Sequence, residues 1–191
     1  CVGGEEAKKI LVEAYAMGAD EAYLVRVDYA DTYDTARILA EFSKKFGPFD
    51  IILLGGATAD SYTATVASGV SSILGIPLLP MARKVSVEDG SVTVESDLED
   101  GIYVYSTKLP AVISVSLEIN EPRIPKLPQI LKAKRKPIKM ISVSDLGLKV
   151  EGLVKVRETG AFKVERKKII FDASDPSKVD KAIEDLISSL K

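Results

Sequence analysis

The sequence predicts an α/β protein with a parallel, helix-crossed sheet in its first half and antiparallel strands in its second. Three observations carry this expectation. Apolar residues recur at helical spacing in two early segments, and each segment leads into a short apolar run of strand length. A glycine pair, Gly55-Gly56, then closes one of those runs before a further helical pattern, the alternation that builds crossover units. Near residue 90 an Asp-Gly turn separates two strand-like runs, a hairpin signal.

From Glu5 to Met17 the residues Ala7, Ile10, Leu11, Ala14 and Met17 recur every three or four positions, and Gly18 ends the expected helix. Ala22–Val27 is a strand-type run. A second helix is expected over Thr32–Phe46, with Ala36, Leu39, Ala40 and Phe42 available to one face and Gly47-Pro48 as its stop. Ile51–Leu54 reads as a strand buried on both faces. A third helix is expected from Asp60 to Leu74, ended by Gly75 and Pro77. Lys84–Val87 and Ser91–Val94 then form a hairpin around Asp89-Gly90, and a further hairpin is expected to join Tyr103–Ser106 to Ala111–Leu117. A proline-rich basic stretch runs from Asn120 to Pro137, followed by a strand at Lys139–Val143. Residues 145–171 show little periodicity before a final helix at Pro176–Leu190. A long irregular arm ahead of a terminal helix suits a segment that wraps a partner, the plainer reading being a flexible tail.

Composition narrows the function. The 191 residues, 46% hydrophobic, suffice for one core without disulfide staples. Lys+Arg 26 against Asp+Glu 28 gives a net charge of −2, so no global field draws the protein to nucleic acid or an anionic membrane. Cys1 is the single cysteine and has no intrachain partner, which fits a reducing compartment and a cytoplasmic location. Histidine is absent, which removes Ser-His-Asp and Cys-His catalysis and His-ligated zinc; no metal site is expected. No apolar run reaches the ~18 residues of a membrane span. The opening Cys1-Val2-Gly3-Gly4 reads like the end of a strand and its turn, so an interrupted beginning is expected.

Two constellations could carry chemistry. The loop Gly55-Gly56-Ala57-Thr58-Ala59-Asp60-Ser61-Tyr62-Thr63 joins a strand to a helix, and its glycines and free N–H groups suit a phosphate at the sheet's carboxyl edge. It has neither a GxGxxG pattern nor a Walker lysine, and Asp60 as a plain helix cap above a tight turn explains it equally well. The second is Ile119–Ile130 with the basic run Lys132-Ala133-Lys134-Arg135-Lys136. Pro122, Pro125 and Pro128 stiffen a loop that presents Leu127 beside charges, as a docking anchor would be presented. No aromatic residue interleaves with the basic run, which argues against single-strand nucleic acid; a solvated face is the bland alternative.

These residues resemble electron-transfer flavoprotein beta subunits from Gly3 to about Leu148. The similarity lies in Ala14–Asp20, Ile51–Asp60, Leu109–Ser114, Asn120-Glu121-Pro122-Arg123, Leu127-Pro128, Ile130, Lys132–Lys136 and Asp145-Leu146-Gly147. The resemblance implies an adenine-nucleotide-hydrolase-like α/β domain over residues 1–143 and an arm with a helix, 144–191, wrapping the partner. It implies a heterodimer whose alpha subunit holds most of a redox-active FAD, while this chain binds AMP or a second FAD. Gly55, Ala59, Asp60, Ser61, Thr63, Thr65 and Val66 would hold that nucleotide. Asn120, Arg123, Leu127, Lys132 and Arg135 would meet acyl-CoA or related dehydrogenases, and a quinone oxidoreductase or similar acceptor would take the electrons. The chain itself would be an electron-transfer subunit without catalytic residues, with no nucleic acid or membrane partner. A nucleotide-binding regulatory protein of similar fold is the alternative, and an acid/base or transferase enzyme using Asp60 a third.

The sequence also departs from the family pattern. Ser61-Tyr62 replaces Gly-Asp after Asp60, Thr65 stands at a glutamine position, Ser96 replaces a basic residue and Tyr103 an acidic one. The family's segment ahead of Cys1 holds two strands. Without it, Ala22–Val27 is expected at one edge of the sheet, about 14 Å from Ile51–Leu54 rather than at the ~4.8 Å of neighbours. Leu24, Val25, Ile52 and Leu53 would then face a void, and the chain would be poorly soluble.

Overall fold

The computed structural model describes residues 1–58, 61–154, 156–158, 160–161 and 176–189. Residues 1–155 form one compact unit and residues 156–191 a second. In chain order the first unit holds β1 (Val2–Gly3), α1 (Lys8–Met17), β2 (Tyr23–Arg26), α2 (Thr32–Phe46), β3 (Ile51–Gly55) and α3 (Val66–Leu74). There follow β4 (Leu78–Glu88), β5 (Ser91–Leu98), β6 (Gly101–Lys108), β7 (Ala111–Val115), α4 (Leu127–Ala133) and β8 (Lys139–Ser142). The second unit contributes α5 (Pro176–Ser189), close to the helix expected there.

Successive strand residues point to opposite faces, and β2 uses both. Leu24 packs beneath α1 with Leu11, Tyr15 and Ala16, while Val25 packs with Ile38 of α2 and with Ile141 of β8. This makes β2 the centre of a parallel sheet ordered β1-β2-β8. A second sheet is ordered β3-β7-β4-β5-β6, parallel from β3 to β4 and antiparallel from β4 to β6. The helix α3 covers one of its faces through Ala67 and Val70 against Val112, Ile52 and Leu54. The other face buries Leu79, Ala82, Val92, Val94, Ala111 and Ile113 together. The two sheets meet through their helices, because Ala36 of α2 packs against α3. A Cβ on Gly69 would stand 2.7 Å from the Ala36 Cβ, so that close approach requires glycine.

Several expectations need correction. The strand β7 makes no hairpin with β6. Ala111, Val112 and Ile113 are fully buried, and a strand of that kind must be covered on both faces, so it enters the sheet in parallel between β3 and β4. The segment Tyr103–Ser106 belongs to β6, which pairs with β5 instead. The strand at Ala22–Val27 lies in mid-sheet rather than at an edge, since β8 flanks it, and Leu24 and Val25 face packed helices rather than a void. No ladder joins β2 to β3, as expected. Among the described residues β3 pairs only with β7, its Ile51, Ile52 and Leu54 are half-buried and Leu53 is 61% exposed, so β3 is not buried on both faces. In α1 the buried stripe is Leu11 and Tyr15, four apart, which turns Ile10 to solvent.

The largest shift in an element boundary concerns α3, which begins at Val66 and not at Asp60. Tyr62 and Ala64 take left-handed backbone angles, φ 49° and 52°, which no helix can include. The hydroxyl residues Ser61, Thr63 and Thr65 interleave with them, and such side chains compete for backbone hydrogen bonds. In the proline-rich stretch Leu127 opens the short helix α4 instead of standing in a loop, because Pro128 falls in the first turn, where its missing N–H costs nothing.

Candidate functional site

At the carboxyl end of β3 the chain needs glycine for two separate reasons. The Gly56 N–H donates to Val115 O at 2.9 Å, carrying the β3–β7 ladder one residue further. A Cβ there would lie 2.9 Å from Met81 Sδ and 3.1 Å from Val115 O, so any side chain would force its neighbours to shift. A Cβ on Gly55 would meet no atom within 4 Å and leaves the backbone open to an approaching ligand. Beyond this pair, Tyr62 N–H donates to Thr58 O at 3.1 Å, and the Thr58 and Ser61 hydroxyls share a hydrogen bond of 2.9 Å.

The wall formed by residues 55–58 has a cavity on each side. One is a hollow of about 220 Å³ lined by Thr35, Leu54, Thr63, Ala64, Thr65 and Val66 together with the wall. It lies at the first turn of α3, whose opening N–H groups have no partner within the helix. The other is a cleft of about 750 Å³ lined by the wall, Met17, Tyr62, Met81, Val115–Leu117, Ile119, Asn120, Pro122 and Arg123. Among the described residues, Arg123 is the one charged residue lining the cleft. Its Nη1 stands 3.7 Å from where a Cβ on Gly18 would be, so the cation sits at the carboxyl end of α1, where the helix dipole favours it.

The predicted site residues separate accordingly. Gly55, Thr63, Thr65 and Val66 come together around the smaller hollow, and Ser61 stands exposed in the turn beside it. Ala59 and Asp60 lie outside the described residues. Asn120 and Arg123 turn into the larger cleft, away from the docking anchor with which the sequence groups them. Leu127 is 68% exposed, with Leu131 one turn further along α4 and Ile124 just ahead also exposed. Lys132 and Arg135 stand in solvent nearby. Lys136 leaves that basic face: its Nζ donates to Ala19 O at 3.0 Å and lies 4.7 Å from the centre of the Tyr15 ring.

Sequence reasoning missed Met17, Met81 and Ser116, and gave Tyr62 no role of its own within the loop. Met81 and Ser116 reach one cleft only because Ala82 pairs with Val115 between β4 and β7, which no local pattern announces. The left-handed backbone of Met81, φ 47°, is equally silent in the sequence. Ser96 and Tyr103, two of the departures noted above, prove to be direct cross-strand partners between β5 and β6. Ser96 is wholly buried and donates its hydroxyl to Pro80 O at 2.5 Å, while Tyr103 donates to Asp100 at 2.7 Å. One position in the sheet thus carries both changes, each new side chain satisfied locally.

A sheet whose parallel strands β3, β7 and β4 carry a helix on one face, opening a glycine-lined cavity at the carboxyl end of β3, belongs to the broad class of α/β ligand-binding domains. Within that class, a model of the electron transfer flavoprotein domain family matches residues 1–146. The chain belongs to this family. It is 36% identical over 154 residues to the electron transfer flavoprotein subunit beta of Bacillus subtilis, covering 78% of this chain and 60% of that protein. Against the subunit beta of Megasphaera elsdenii it is 38% identical over 146 residues, covering 72% and 54%. Against that of Thermoanaerobacterium thermosaccharolyticum the figures are 34% over 199 residues, 99% and 75%. The chain spans between about half and three-quarters of the length of these curated relatives. No helix among the described residues is long and apolar enough to cross a membrane.

Proposed function

We propose that this chain is a beta-type subunit of a heterodimeric electron transfer flavoprotein. In this reading an alpha-type subunit holds most of the FAD. The chain carries a nucleotide, AMP or a second FAD, and offers a docking surface to acyl-CoA or related dehydrogenases. Electrons leave to a quinone oxidoreductase or similar acceptor, and the residues beyond the first unit wrap the alpha-type subunit. The observation that carries the reading is the hollow of about 220 Å³ in which Gly55, Thr63, Thr65 and Val66 meet. N–H groups at a helix start, which have no partner within the helix, favour an anion, two hydroxyls supply further donors, and Gly55 leaves the backbone accessible. These features fit a phosphate. When bound, the flavin supplies the redox chemistry; the chain's own residues bind, orient and shield.

Co-expression with an alpha-type subunit tests the proposal. A yellow complex that releases stoichiometric AMP or FAD on denaturation supports it, and Thr63→Phe should expel that nucleotide by filling the hollow. A colourless nucleotide-bound homodimer would favour a regulatory protein, and turnover by the chain alone an enzyme. For the docking anchor, Leu127→Ala should slow electron transfer from the dehydrogenase while flavin content stays constant. Unchanged transfer in that variant removes the anchor role.

A further inference from the structure

Two buried carboxylates at the start of α2 take no part in either cavity. Asp31 is 7% exposed and Asp34 1%. Buried carboxylates need their oxygens filled, and here distant backbone fills one oxygen of each. Asp31 Oδ1 accepts from Asp34 N at 2.8 Å, capping α2, while its Oδ2 accepts from Val154 N at 3.0 Å. Asp34 Oδ1 pairs with Arg37 Nη1 at 3.2 Å, and its Oδ2 accepts from Gly152 N at 2.9 Å. Tyr29 donates its hydroxyl to Val154 O at 3.3 Å, and Arg37 reaches Lys149 O at 3.5 Å. Beneath this strip Leu148 and Val150 pack against the cluster of Val25, Ile38 and Leu146, whereas Leu153 and Val154 remain exposed. Gly152, at φ +60°, makes the turn that brings its N–H inward.

We propose that Asp31 and Asp34 form a buckle that fixes the position and backbone direction of the strip Gly152–Val154, the point at which the chain leaves the domain. Apolar contact alone sets no direction, but charge-assisted hydrogen bonds to specific N–H groups do. These are positioning residues: neither lines the hollow or the cleft. Their effect on assembly rests on the reading that the segment beyond Val154 holds an alpha-type subunit. A fixed exit would then reduce the ordering that association must impose.

The test is amide exchange on the full chain, comparing Asp31→Asn and Asp34→Asn with the unsubstituted protein. Asparagine keeps the shape and one acceptor oxygen, which makes it the least disruptive replacement. Exchange at Val154 and Gly152 respectively should accelerate about tenfold or more, while the amides of β7 keep their protection. Unchanged exchange at both sites, or an equal loss of protection throughout the domain, overturns the buckle. Gly152→Ala, strained at its left-handed angle, should release the same strip without altering either carboxylate, and provides the same reading if an asparagine variant fails to fold. In the complex, each variant should bind the alpha-type subunit about tenfold more weakly at unchanged nucleotide content. A released strip with unchanged affinity overturns the positioning role and leaves the proposed function standing. Failure of the unsubstituted chain to bind that subunit counts against the proposed function, while the exchange result still decides the buckle.

Discussion

Gly55 and Gly56 are neighbours with opposite constraints. Gly56→Ala must push its new carbon against Met81 Sδ and Val115 O, a backbone atom held in the β3–β7 ladder, so a loss of about 1–3 kcal/mol is expected in urea melts. Gly55→Ala meets nothing within the folded chain and should leave the melt unchanged, yet weaken the binding of whatever occupies the hollow. A second consequence concerns acid. The Asp31 carboxyl is held below the usual aspartate range, first by the Asp34 N–H and then by other backbone donors that include Val154, against an opposing effect of burial. A depressed folded pKa contributes stability that is complete above the unfolded value, ~3.9, and is lost as pH falls through the lower folded value. Thermal melts of Asp31→Asn should therefore show a shallower decline below about pH 4 than the unsubstituted chain. At this scale the exposure of Leu127 was legible, because three prolines and a basic neighbour leave it little to pack on. The turn of Arg123 into the cleft was not, since it depends on where α1 ends in space.

Among the elements, α2 was readable to the residue, because Gly47-Pro48 stops it and its apolar positions keep helical spacing. The start of α3 was not. Asp60 looked like a cap, but the left-handed angles of Tyr62 and Ala64 delay the helix until Val66. The cap residue there, Thr65, makes no side-chain capping bond, in contrast to Asp31 on α2. Thr65→Ala should accordingly change stability by less than about 0.5 kcal/mol, whereas Asp31→Ala should cost about 1 kcal/mol or more in the same melts. If Thr65 also touches a bound phosphate, its alanine variant will lose nucleotide affinity without losing stability, a separation that calorimetric titration of the purified complex can read.

The division into a parallel first half and an antiparallel extension was legible across the molecule, from crossover spacing and one Asp-Gly turn. Strand order was not, because the placement of β7 between β3 and β4 depends on burial that no local pattern encodes. The contact of Gly69 with Ala36 belongs to this largest scale, since it lies between α2, one of two helices that cover the first sheet, and α3, which covers the second. Gly69→Val is expected to force α2 and α3 apart and lower stability by about 1–3 kcal/mol. Its effect on cooperativity should be more telling than its effect on the midpoint. Where one helix pair transmits the melting of one sheet to the other, loosening that joint lets each sheet melt on its own schedule. In scanning calorimetry the heat absorbed by Gly69→Val should then exceed the van't Hoff enthalpy drawn from the sharpness of its transition, while the unsubstituted first unit keeps the two equal.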